Sequence, residues 1–307
     1  MFQPVIDLLI LGGGNSPEKE VSLRSAKYVA EAARQAGFNV QEADPAEGFS
    51  VLDGLLKETI VFPILHGQGG EDGSLQAELE KRSIAFLGAG SRSSAECFDK
   101  WQTRLQLQAA GISVPRGALV TESSYSNHPL SGKPHVLKVL RGGSSIGTLI
   151  VRQPETLDLQ EVQKLFQLDE QAVIEDLVEG VEITVPILDR SALPIIEIRP
   201  PEGKEFDYEN KYNGQSRELC PPPSLNEQQI AKANQISEAV HKTMNCRHFS
   251  RVDLIMRPDS SFVVLEINTI PGMTNQSLYP KSAAIAGLPM PELIKKFVEL
   301  IKRDYSI

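Results

Sequence analysis

Hydrophobic and polar positions along the first 90 residues follow an alternation of strands and helices. Val5–Leu11 is an apolar run, interrupted only by Asp7, that leads into three glycines, and apolar residues follow at helical spacing between Leu23 and Ala33. Further helical patterns alternate with short apolar runs near residues 38–40, 59–65 and 84–87. Because strands that alternate with helices form parallel sheets, we expect one N-terminal α/β domain over residues 1–90.

The rest of the chain predicts two further units. In the central unit, residues 91–180, a helical pattern over 99–110 precedes strand-like runs at 113–120, 135–140, 148–152 and 172–176. The third unit, residues 181–307, has strand-like runs at 181–188 and 193–198 and helical patterns at 226–244 and 291–303. We therefore expect domain boundaries near residues 90 and 180.

Two apolar runs within the third unit predict a β-hairpin. The runs, 251–256 and 262–268, flank a Pro-Asp-Ser-Ser sequence that is typical of a turn. Pairing Arg257 with Phe262 across this turn sets the register of every facing residue. In that register Asp253 lies opposite Glu266, and Arg251 lies opposite Asn268.

The two facing carboxylates predict a bound cation. Like charges on opposite strands destabilise a sheet, and Asp253 and Glu266 lie within apolar runs, where an unpaired charge is costly to bury. Mg²⁺ is the natural candidate, because it binds few protein carboxylates and completes its octahedron with water and substrate phosphates. The alternative is a pair of solvated acids on an exposed hairpin face.

Composition and charge exclude several classes of protein. A net charge of -9 argues against a general nucleic-acid binder, since nothing suggests a basic stripe able to neutralise phosphates. Three cysteines without metal-ligand spacing give no disulfide framework and fit a reducing compartment. No secretory signal and no run of about 18 apolar residues is present. We expect a cytoplasmic protein that binds neither nucleic acid nor membrane.

The first glycine loop follows the first predicted strand. Asn15 and Pro17 stand where a dinucleotide-binding motif needs glycines, which disfavours a Rossmann cofactor site. A small ligand at the carboxyl ends of these strands remains the expectation. Glu18, just beyond the loop, is a candidate to receive an ammonium group. The alternative is an ordinary solvated acid that is favoured by the helix dipole.

Two more glycine-rich loops carry candidate chemistry. His66 opens the first, HGQGGEDG, at the end of the third strand, where a structural and a functional role are equally open. In the second, RGGSSIG at 141–147, Thr148 stands where a Walker A motif requires lysine, which disfavours a P-loop NTPase. Such a loop still covers phosphates through its backbone N–H groups. Lys138 and Lys100 are candidate cations, the alternative being ordinary surface lysines.

These motifs, in this order, resemble the D-alanine–D-alanine ligase family, a branch of the ATP-grasp enzymes. The matching pieces span nearly the whole chain: GGGNSPEKEVSLRSA from Gly12, HGQGGEDGSLQ from His66, GGSSIG from Gly142, DYENKY from Asp207, RVD from Arg251 and LEINTIPGMTNQSL from Leu265. DYENKY lies in the polar segment 200–223, whose length indicates either disorder or a functional lid. A glycine loop alone is weak support, whereas this many ordered matches are strong.

The resemblance implies a fold and a reaction. The fold is a three-domain ATP-grasp architecture, α/β overall and α+β in the ATP-binding part, with the metal and acceptor sites in residues 181–307. The family joins two D-alanines for peptidoglycan precursors, using ATP and Mg²⁺, with Mn²⁺ as an alternative metal. The first carboxylate becomes an acyl phosphate, which the second amine attacks. We also expect a homodimer.

The resemblance further implies which residues bind nucleotide and metal. Glu175 and Leu177 would lie at the adenine, and Glu182 at the ribose. Phosphoryl transfer requires mainly positioning and charge neutralisation. These tasks fall to Lys100, Lys138, Ser144 and Lys211. The metal ligands would be Asp253, Glu266 and Asn268.

Substrate-binding roles follow in the same way. Glu18 would hold the ammonium of the first D-alanine and form a hydrogen-bonded trio with Ser144 and Tyr212, which orients substrate and moves a proton. Arg251 and the backbone N–H of Gly272 would stabilise the oxyanion. The carboxylate of the second substrate would be received by Ser277 and Leu278, with His66 nearby.

Departures from the family pattern leave alternatives open. Val139 follows Lys138 where the family usually has proline, and the Arg141-Gly142-Gly143 loop is richer in glycine than in many members. Tyr212 within DYENKY favours an amine as the second nucleophile. The nearest alternative is a related ligase that uses another D-amino acid or D-lactate. A non-catalytic nucleotide-binding regulatory module is the second.

Overall fold

The structure is a computed structural model that describes residues 6–143, 146–200 and 216–307. Three β-sheets with helices packed around them make up these residues, and the predicted α/β class is confirmed. None of the helices in these three ranges is long and apolar enough to cross a membrane.

The first sheet is parallel, as predicted. Its strands, in spatial order β2-β1-β3-β4, are Asp7–Leu11 (β1), Asn39–Ala43 (β2), Ile60–Pro63 (β3) and Ala85–Phe86 (β4). Two α-helices, Lys19–Gln35 (α1) and Ser74–Lys81 (α2), connect these strands, with short 3-10 helices at Pro45–Glu47 and Phe49–Leu52. Because the strands are parallel, the loops after β1 and β3 meet at one edge of the sheet. This edge carries Glu18 and His66.

The second sheet is antiparallel, in the order β5-β8-β6-β7. Its strands are Gly117–Val120 (β5), His135–Val139 (β6), Thr148–Val151 (β7) and Ala172–Asp176 (β8). The accompanying helices are Ser91–Phe98 (α3), Lys100–Ala109 (α4), Glu122–Tyr125 (α5) and Leu159–Leu168 (α6), with a 3-10 helix at Pro154–Thr156. The sequence patterns did not predict α3, α5 or α6.

Asp99 separates α3 from α4. Its backbone is extended, and its carboxylate accepts hydrogen bonds from the backbone N–H groups of Trp101 and Gln102 at 3.1 and 2.9 Å. An aspartate in this position caps the first turn of a new helix. Lys100 is consequently the first residue of α4.

The third sheet holds the predicted hairpin. Its strands are Val181–Leu188 (β9), Ser191–Ala192 (β10), Ile196–Arg199 (β11), Arg217–Leu219 (β12), Phe249–Met256 (β13) and Phe262–Asn268 (β14). They pair antiparallel in the order β12-β11-β9-β13-β14, with β10 also on β9. Three helices complete the described chain: Glu227–Thr243 (α7), Leu278–Ile285 (α8) and Met290–Tyr305 (α9).

The register of the hairpin confirms one prediction and corrects another. Arg251 faces Asn268 and Asp253 faces Glu266, as predicted. The assumed pairing of Arg257 with Phe262 is wrong, because Met256 occupies that place. A β-bulge explains both results: Leu254 pairs with Val264, so Leu265 is an extra residue that shifts the register by one.

Helix α9 packs against the first sheet although it follows the third in sequence. Its apolar residues, Phe297 among them, share one buried cluster with Leu8, Ile10 and Phe62. The ring of Phe297 lies 5.1 Å from that of Phe249 and 6.3 Å from that of Phe62, measured between centroids. One aromatic cluster therefore joins the first and third sheets. The domain boundaries near residues 90 and 180 stay predictions.

Replacing Phe297 tests how much stability this cluster provides. Phe297 is 1% exposed, so Phe297→Ala should lower the free energy of unfolding by about 3–5 kcal/mol, through lost burial and the cavity left behind. Thermal and urea unfolding monitored by circular dichroism would measure the change. Leu168→Ala is the control, because Leu168 is 61% exposed. Equal stability of the two variants would contradict the assigned packing.

Candidate active site

A cavity of about 720 Å³ lies between the three sheets. Its walls come from the start of α1, the loop after β3, the junction of α3 and α4, the loop after β6, strand β14 and the segment leading into α8. Nine of the predicted site residues line it: Glu18, His66, Lys100, Arg251, Glu266, Asn268, Gly272, Ser277 and Leu278. The fold thus gathers side chains that are up to 260 residues apart in sequence.

The other predicted residues lie elsewhere. Lys138 and Glu175 line a narrow adjoining cavity of about 20 Å³, together with Lys100 and Glu266. Three more lie outside the lining of both cavities: Asp253 on β13, Glu182 on β9 and Leu177 just after β8. The remaining three, Ser144, Lys211 and Tyr212, lie outside the described residues.

Glu18 stands at the N-terminus of α1 and is only 5% exposed. The alternative of an ordinary solvated acid is therefore wrong. Two glycines pack against its carboxylate, since a Cβ atom on Gly67 or Gly143 would lie 2.7 or 2.9 Å from Oε2. These contacts explain why glycine loops from two different sheets meet at this acid, which they hold facing the cavity.

His66 is a buried, neutral side chain. Burial lowers its pKa to about 4, and the positive charge of Arg251 acts in the same direction. The Oγ atom of Ser25 lies 3.5 Å from Nε2 of the ring, and Ser25 in turn accepts a hydrogen bond from the backbone N–H of Met273 at 3.3 Å. The imidazole is therefore positioned as an uncharged wall of the cavity.

Glu71 is a site residue to which the sequence analysis gave no role. It is 7% exposed, lines the cavity, and accepts a hydrogen bond from the backbone N–H of Gly67 at 2.8 Å. Burial, reinforced by the nearby charge of Glu18, raises the pKa of Glu71 to about 8. This pair of acids therefore retains a proton at neutral pH. The feature of the sequence that could have indicated a role for Glu71 is its place among four glycines in HGQGGEDG.

The two lysines differ in their surroundings. Lys100 donates a hydrogen bond from Nζ to the carbonyl of Gly142 at 2.6 Å, and burial lowers its pKa. Burial also acts against the charge on Lys138, but attraction to Glu175 and Glu266 prevails and raises its pKa. Nζ of Lys138 lies 3.0 Å from Oε2 of Glu175, and Arg104 lies 3.3 Å from Oε1. Neither lysine is an ordinary surface residue.

The two facing acids of the hairpin are not on a solvated face. Asp253 is 7% exposed and accepts hydrogen bonds from Nε and Nη2 of Arg251 at 3.0 and 2.8 Å, and from Thr184 at 2.5 Å. The Oδ1 atom of Asn268 accepts a bond from the N–H of Ile270 at 3.0 Å. The positive group beside Asp253 in this structure is a guanidinium. Across the described ranges no three histidine, cysteine, aspartate or glutamate side chains converge as a metal centre.

The far end of the cavity is formed by the segment leading into α8. Ser277 is the N-cap of this helix, and its Oγ accepts a hydrogen bond from the backbone N–H of Thr274 at 3.0 Å. A Cβ atom on Gly272 would lie 2.9 Å from the same Oγ. A helix N-terminus favours an anionic group, so this end suits a carboxylate.

The cavity can therefore bind several charged groups at once. Lysines and Arg251 suit phosphates, the carboxylate of Glu18 suits an ammonium group, and the start of α8 suits a carboxylate. Charged groups of both signs around one space indicate a binding site for small molecules that carry phosphate, ammonium and carboxylate groups. Most of the catalysis would come from positioning and charge neutralisation.

Comparison with known proteins agrees with this architecture. The family described as "D-ala D-ala ligase C-terminus" matches residues 107–299. A D-alanine–D-alanine ligase of Mannheimia succiniciproducens is 36% identical over 303 residues, covering 95% of this chain and 97% of the relative. The D-alanine–D-alanine ligase of Bacillus anthracis complexed with ATP superposes with a TM-score of 0.84, at 28% identity over 98% of this chain and 99% of that one.

A fourth similarity concerns a related ligase. The VanG D-Ala:D-Ser ligase of Enterococcus faecalis superposes with a TM-score of 0.82, at 27% identity over 97% of this chain and 100% of that one. The three sheets around a central cavity define the ATP-grasp class of enzymes. Within that class, the chain belongs to the D-alanine–D-alanine ligase family.

Replacing Glu71 tests its retained proton. An unfolded glutamate ionises near pH 4.5, whereas folded Glu71 keeps its proton up to about pH 8. The unfolded state therefore binds fewer protons between these values, and this group makes stability fall as pH rises through that window. Relative to wild type, Glu71→Gln should gain stability from pH 5 to pH 8, by up to a few kcal/mol.

Thermal unfolding of both proteins at several pH values between 5 and 9 would measure this difference. Glu20→Gln is a matched control, because Glu20 is an exposed residue of α1. A stability difference for Glu71→Gln that does not change with pH would contradict the raised pKa.

Proposed function

We propose that this protein joins two D-alanines into D-alanyl-D-alanine and converts ATP to ADP and phosphate, for peptidoglycan precursor synthesis. One observation carries the proposal: a single cavity brings together Glu18, Lys100, Arg251 and Ser277 from four separate segments. These side chains match the ammonium, phosphate, oxyanion and carboxylate of the reaction. Membership of the ligase family supports the same conclusion.

The first step activates the first D-alanine. Glu18 receives the ammonium group of this D-alanine. One oxygen of the D-alanine carboxylate then attacks the γ-phosphorus of ATP. A bond forms between the carboxylate oxygen of D-alanine and the γ-phosphorus, while the bond from the γ-phosphorus to the bridging oxygen of the β-phosphate breaks. ADP leaves, and the product is the acyl phosphate. Lys100 and Lys138, which are half-buried and line the same narrow cavity, would neutralise phosphate charge. In the proposal Ser144 and Lys211 assist the phosphates.

The donor set of the hairpin fits a magnesium ion. Two carboxylates and one amide oxygen, from Asp253, Glu266 and Asn268, are hard ligands that leave coordination places for water and phosphate oxygens. Facing placement of the two acids supports this assignment. Bound Mg²⁺, or Mn²⁺ in its place, would supply charge neutralisation on the transferring phosphoryl group. Arg251 would then share the carboxylate of Asp253 with the metal.

The second step forms the peptide bond. Ser277 and the backbone N–H of Leu278 receive the carboxylate of the second D-alanine, and its amine attacks the acyl carbon. Arg251 and the backbone N–H of Gly272 stabilise the resulting oxyanion, and one such donor is typically worth about 3–4 kcal/mol. The intermediate collapses as the bond from carbon to phosphate oxygen breaks and inorganic phosphate leaves.

A proton must leave the attacking amine during this step. In the proposal a trio of Glu18, Ser144 and Tyr212 orients the first substrate and accepts this proton. Two features support it within the described residues: the carboxylate of Glu18 is buried beside the loop that carries Ser144, and Gly143 packs against it. Neutral His66 lies nearby as part of the acceptor wall.

The nucleoside part of ATP is assigned to the third and second sheets. Glu175 and Leu177 would contact the adenine, and Glu182 the ribose. Glu175 is at present held by Lys138 and Arg104. Binding of the nucleotide would therefore have to share or replace these ion pairs, since the adjoining cavity measures only about 20 Å³.

A related acceptor is the second candidate function. The structural similarity to a D-Ala:D-Ser ligase shows that this fold accommodates a different second substrate in that protein. Another D-amino acid or D-lactate remains an alternative for this chain. A cytoplasmic location, where ATP is available, and a homodimer without nucleic-acid or membrane partners complete the proposal.

A substrate panel tests the function. Purified protein with ATP, Mg²⁺ and D-alanine alone should release phosphate and form D-alanyl-D-alanine, which mass spectrometry would identify. L-Alanine should give no product, because the relatives in this ligase family are D-alanine–D-alanine ligases. Parallel reactions with D-serine and D-lactate measure acceptor preference. No turnover with D-alanine alone would rule out the main proposal, and a mixed product would favour the alternative.

Glu266→Gln tests the metal assignment. Loss of one carboxylate should raise the Mg²⁺ concentration needed for half-maximal activity by at least the roughly tenfold cost that is typical of outer-shell changes. Magnesium titrations of the initial rate would measure it. Asp259→Asn is a matched control, because Asp259 is an exposed acid in the turn of the same hairpin. An unchanged magnesium requirement in Glu266→Gln would overturn the assignment.

A further inference from the structure

Two of the three cysteines lie in contact although 149 positions separate them in sequence. Cys97 is in the last turn of α3, and Cys246 is in the loop between α7 and β13. Their Sγ atoms are 3.9 Å apart, and both residues are buried. The reaction proposed above uses neither thiol.

We propose that Cys97 and Cys246 form an oxidation site that closes to an intrachain disulfide when a hydroperoxide enters the active-site cavity. A disulfide has an S–S length of about 2.05 Å. Closure from 3.9 Å therefore requires a movement of about 1 Å by each sulfur atom. Motion of this size is within reach of side-chain rotation at the end of a helix and in a loop.

The oxidant reaches the pair from one side. Cys97 lines both the large cavity and the narrow one beside it, whereas Cys246 lies behind it. Behind Cys246, the Oγ of Ser93 lies 3.7 Å from its sulfur and donates a hydrogen bond to the carbonyl of Met244 at 2.7 Å. Ser93 thereby fixes the loop that carries Cys246. Cys97 is thus the first sulfur to meet a solute, and Cys246 is placed to resolve the product.

The chemistry balances with one hydrogen peroxide. The sulfur of Cys97, having given up its proton, attacks one peroxide oxygen, the O–O bond breaks and hydroxide takes up that proton as water. This step leaves a sulfenic acid on Cys97. The sulfur of Cys246 then attacks the sulfenic sulfur, the S–O bond breaks and the thiol proton leaves with the oxygen as a second water. Two thiols and one peroxide give one disulfide and two waters.

The surroundings of Cys97 determine the rate of this oxidation. Contact with the Cys246 thiol and burial raise the pKa of Cys97 well above its usual value. Because the thiolate is the attacking form, oxidation at neutral pH is slow and needs a sustained oxidant. Such a pair stays reduced under ordinary conditions and responds to prolonged exposure.

The disulfide has a consequence for nucleotide binding, and this part rests on the function proposed above. Cys97 lies three positions before Lys100, whose Nζ donates to Gly142 at 2.6 Å. The carbonyl of Cys97 also accepts a hydrogen bond from Thr103 in α4 at 3.2 Å. Any backbone displacement that accompanies closure at Cys97 would pass through these contacts to the α3–α4 junction and change the position of Lys100.

Peptide mapping tests the disulfide without reference to activity. Wild-type protein is treated with hydrogen peroxide for several hours, remaining thiols are alkylated, and the protein is digested with trypsin without reduction. Cys97, Cys246 and Cys220 fall in different peptides, SSAECFDK, TMNCR and ELCPPPSLNEQQIAK. The expected result is one linked species joining SSAECFDK to TMNCR, which disappears on addition of dithiothreitol.

Three variants complete the experiment. Cys97→Ser and Cys246→Ala should each abolish the linked species, and Cys220→Ser should retain it as the matched control. Alkylation of all three cysteines after peroxide treatment would overturn the proposal. So would linkage through Cys220, or sulfonic acid on Cys97 with Cys246 still free.

Activity is measured separately on the same samples. Peroxide should lower the ligase rate of wild type and of Cys220→Ser by about tenfold, since ångström-scale displacement of a catalytic group has effects of this order or more. Dithiothreitol should restore the rate, and Cys97→Ser should keep its own starting rate throughout. A linked species with unchanged activity would refute the effect on Lys100. Absence of any ligase activity before treatment would instead refute the proposed function, leaving the disulfide to be judged by peptide mapping.

Discussion

Buried charge is the constraint on which the rest of this structure depends. One cavity gathers acids and bases from all three sheets, and each buried charge needs a partner when no substrate is bound. The protein meets this requirement with internal pairs, Arg251 with Asp253 and Lys138 with Glu175, and with a proton retained by Glu71. Under the proposed function, substrate binding would exchange these internal ionic partners for charged groups of the substrates. The glycine loops permit this exchange because they bring backbone close to the acids without adding side chains.

The three sheets supply different parts of this arrangement. The parallel sheet presents Glu18, His66 and Glu71 from loops at one edge, the second sheet presents lysines, and the third presents Arg251 with its row of acids. Within the described residues, no single sheet provides all of the acids, the lysines and Arg251 that surround the cavity. The packing between sheets, centred on aromatic residues such as Phe249 and Phe297, therefore determines whether the groups meet. Changes far from the cavity can alter the reaction through this packing.

Much of the fold was predictable from sequence because it depends on local periodicity. The runs at β8 and β9 were predicted with their observed bounds, and the Arg251–Asn268 and Asp253–Glu266 pairs followed from the turn between two strands. The bulge at Leu265 was not predictable, because it depends on how strands β13 and β14 pair in the folded protein. The wrong turn pairing and the unpredicted bulge shift the register by one residue in opposite directions. The predicted partners of Asp253 and Arg251 are therefore correct. The protonation of Glu71 was equally invisible, because burial and the nearness of Glu18 arise only in the folded chain.

Helix α9 has a consequence for the order in which the chain can fold. N-terminal domains generally fold first as a chain emerges from the ribosome. Here the buried cluster around Leu8 and Phe62 includes Leu293 and Phe297, so that the core of the first sheet contains residues made nearly 300 positions later. One apolar face of the first sheet, which α1 covers only in part, is therefore completed only when α9 has been synthesised. During that interval the apolar side chains that α9 later covers are exposed on the unfinished chain.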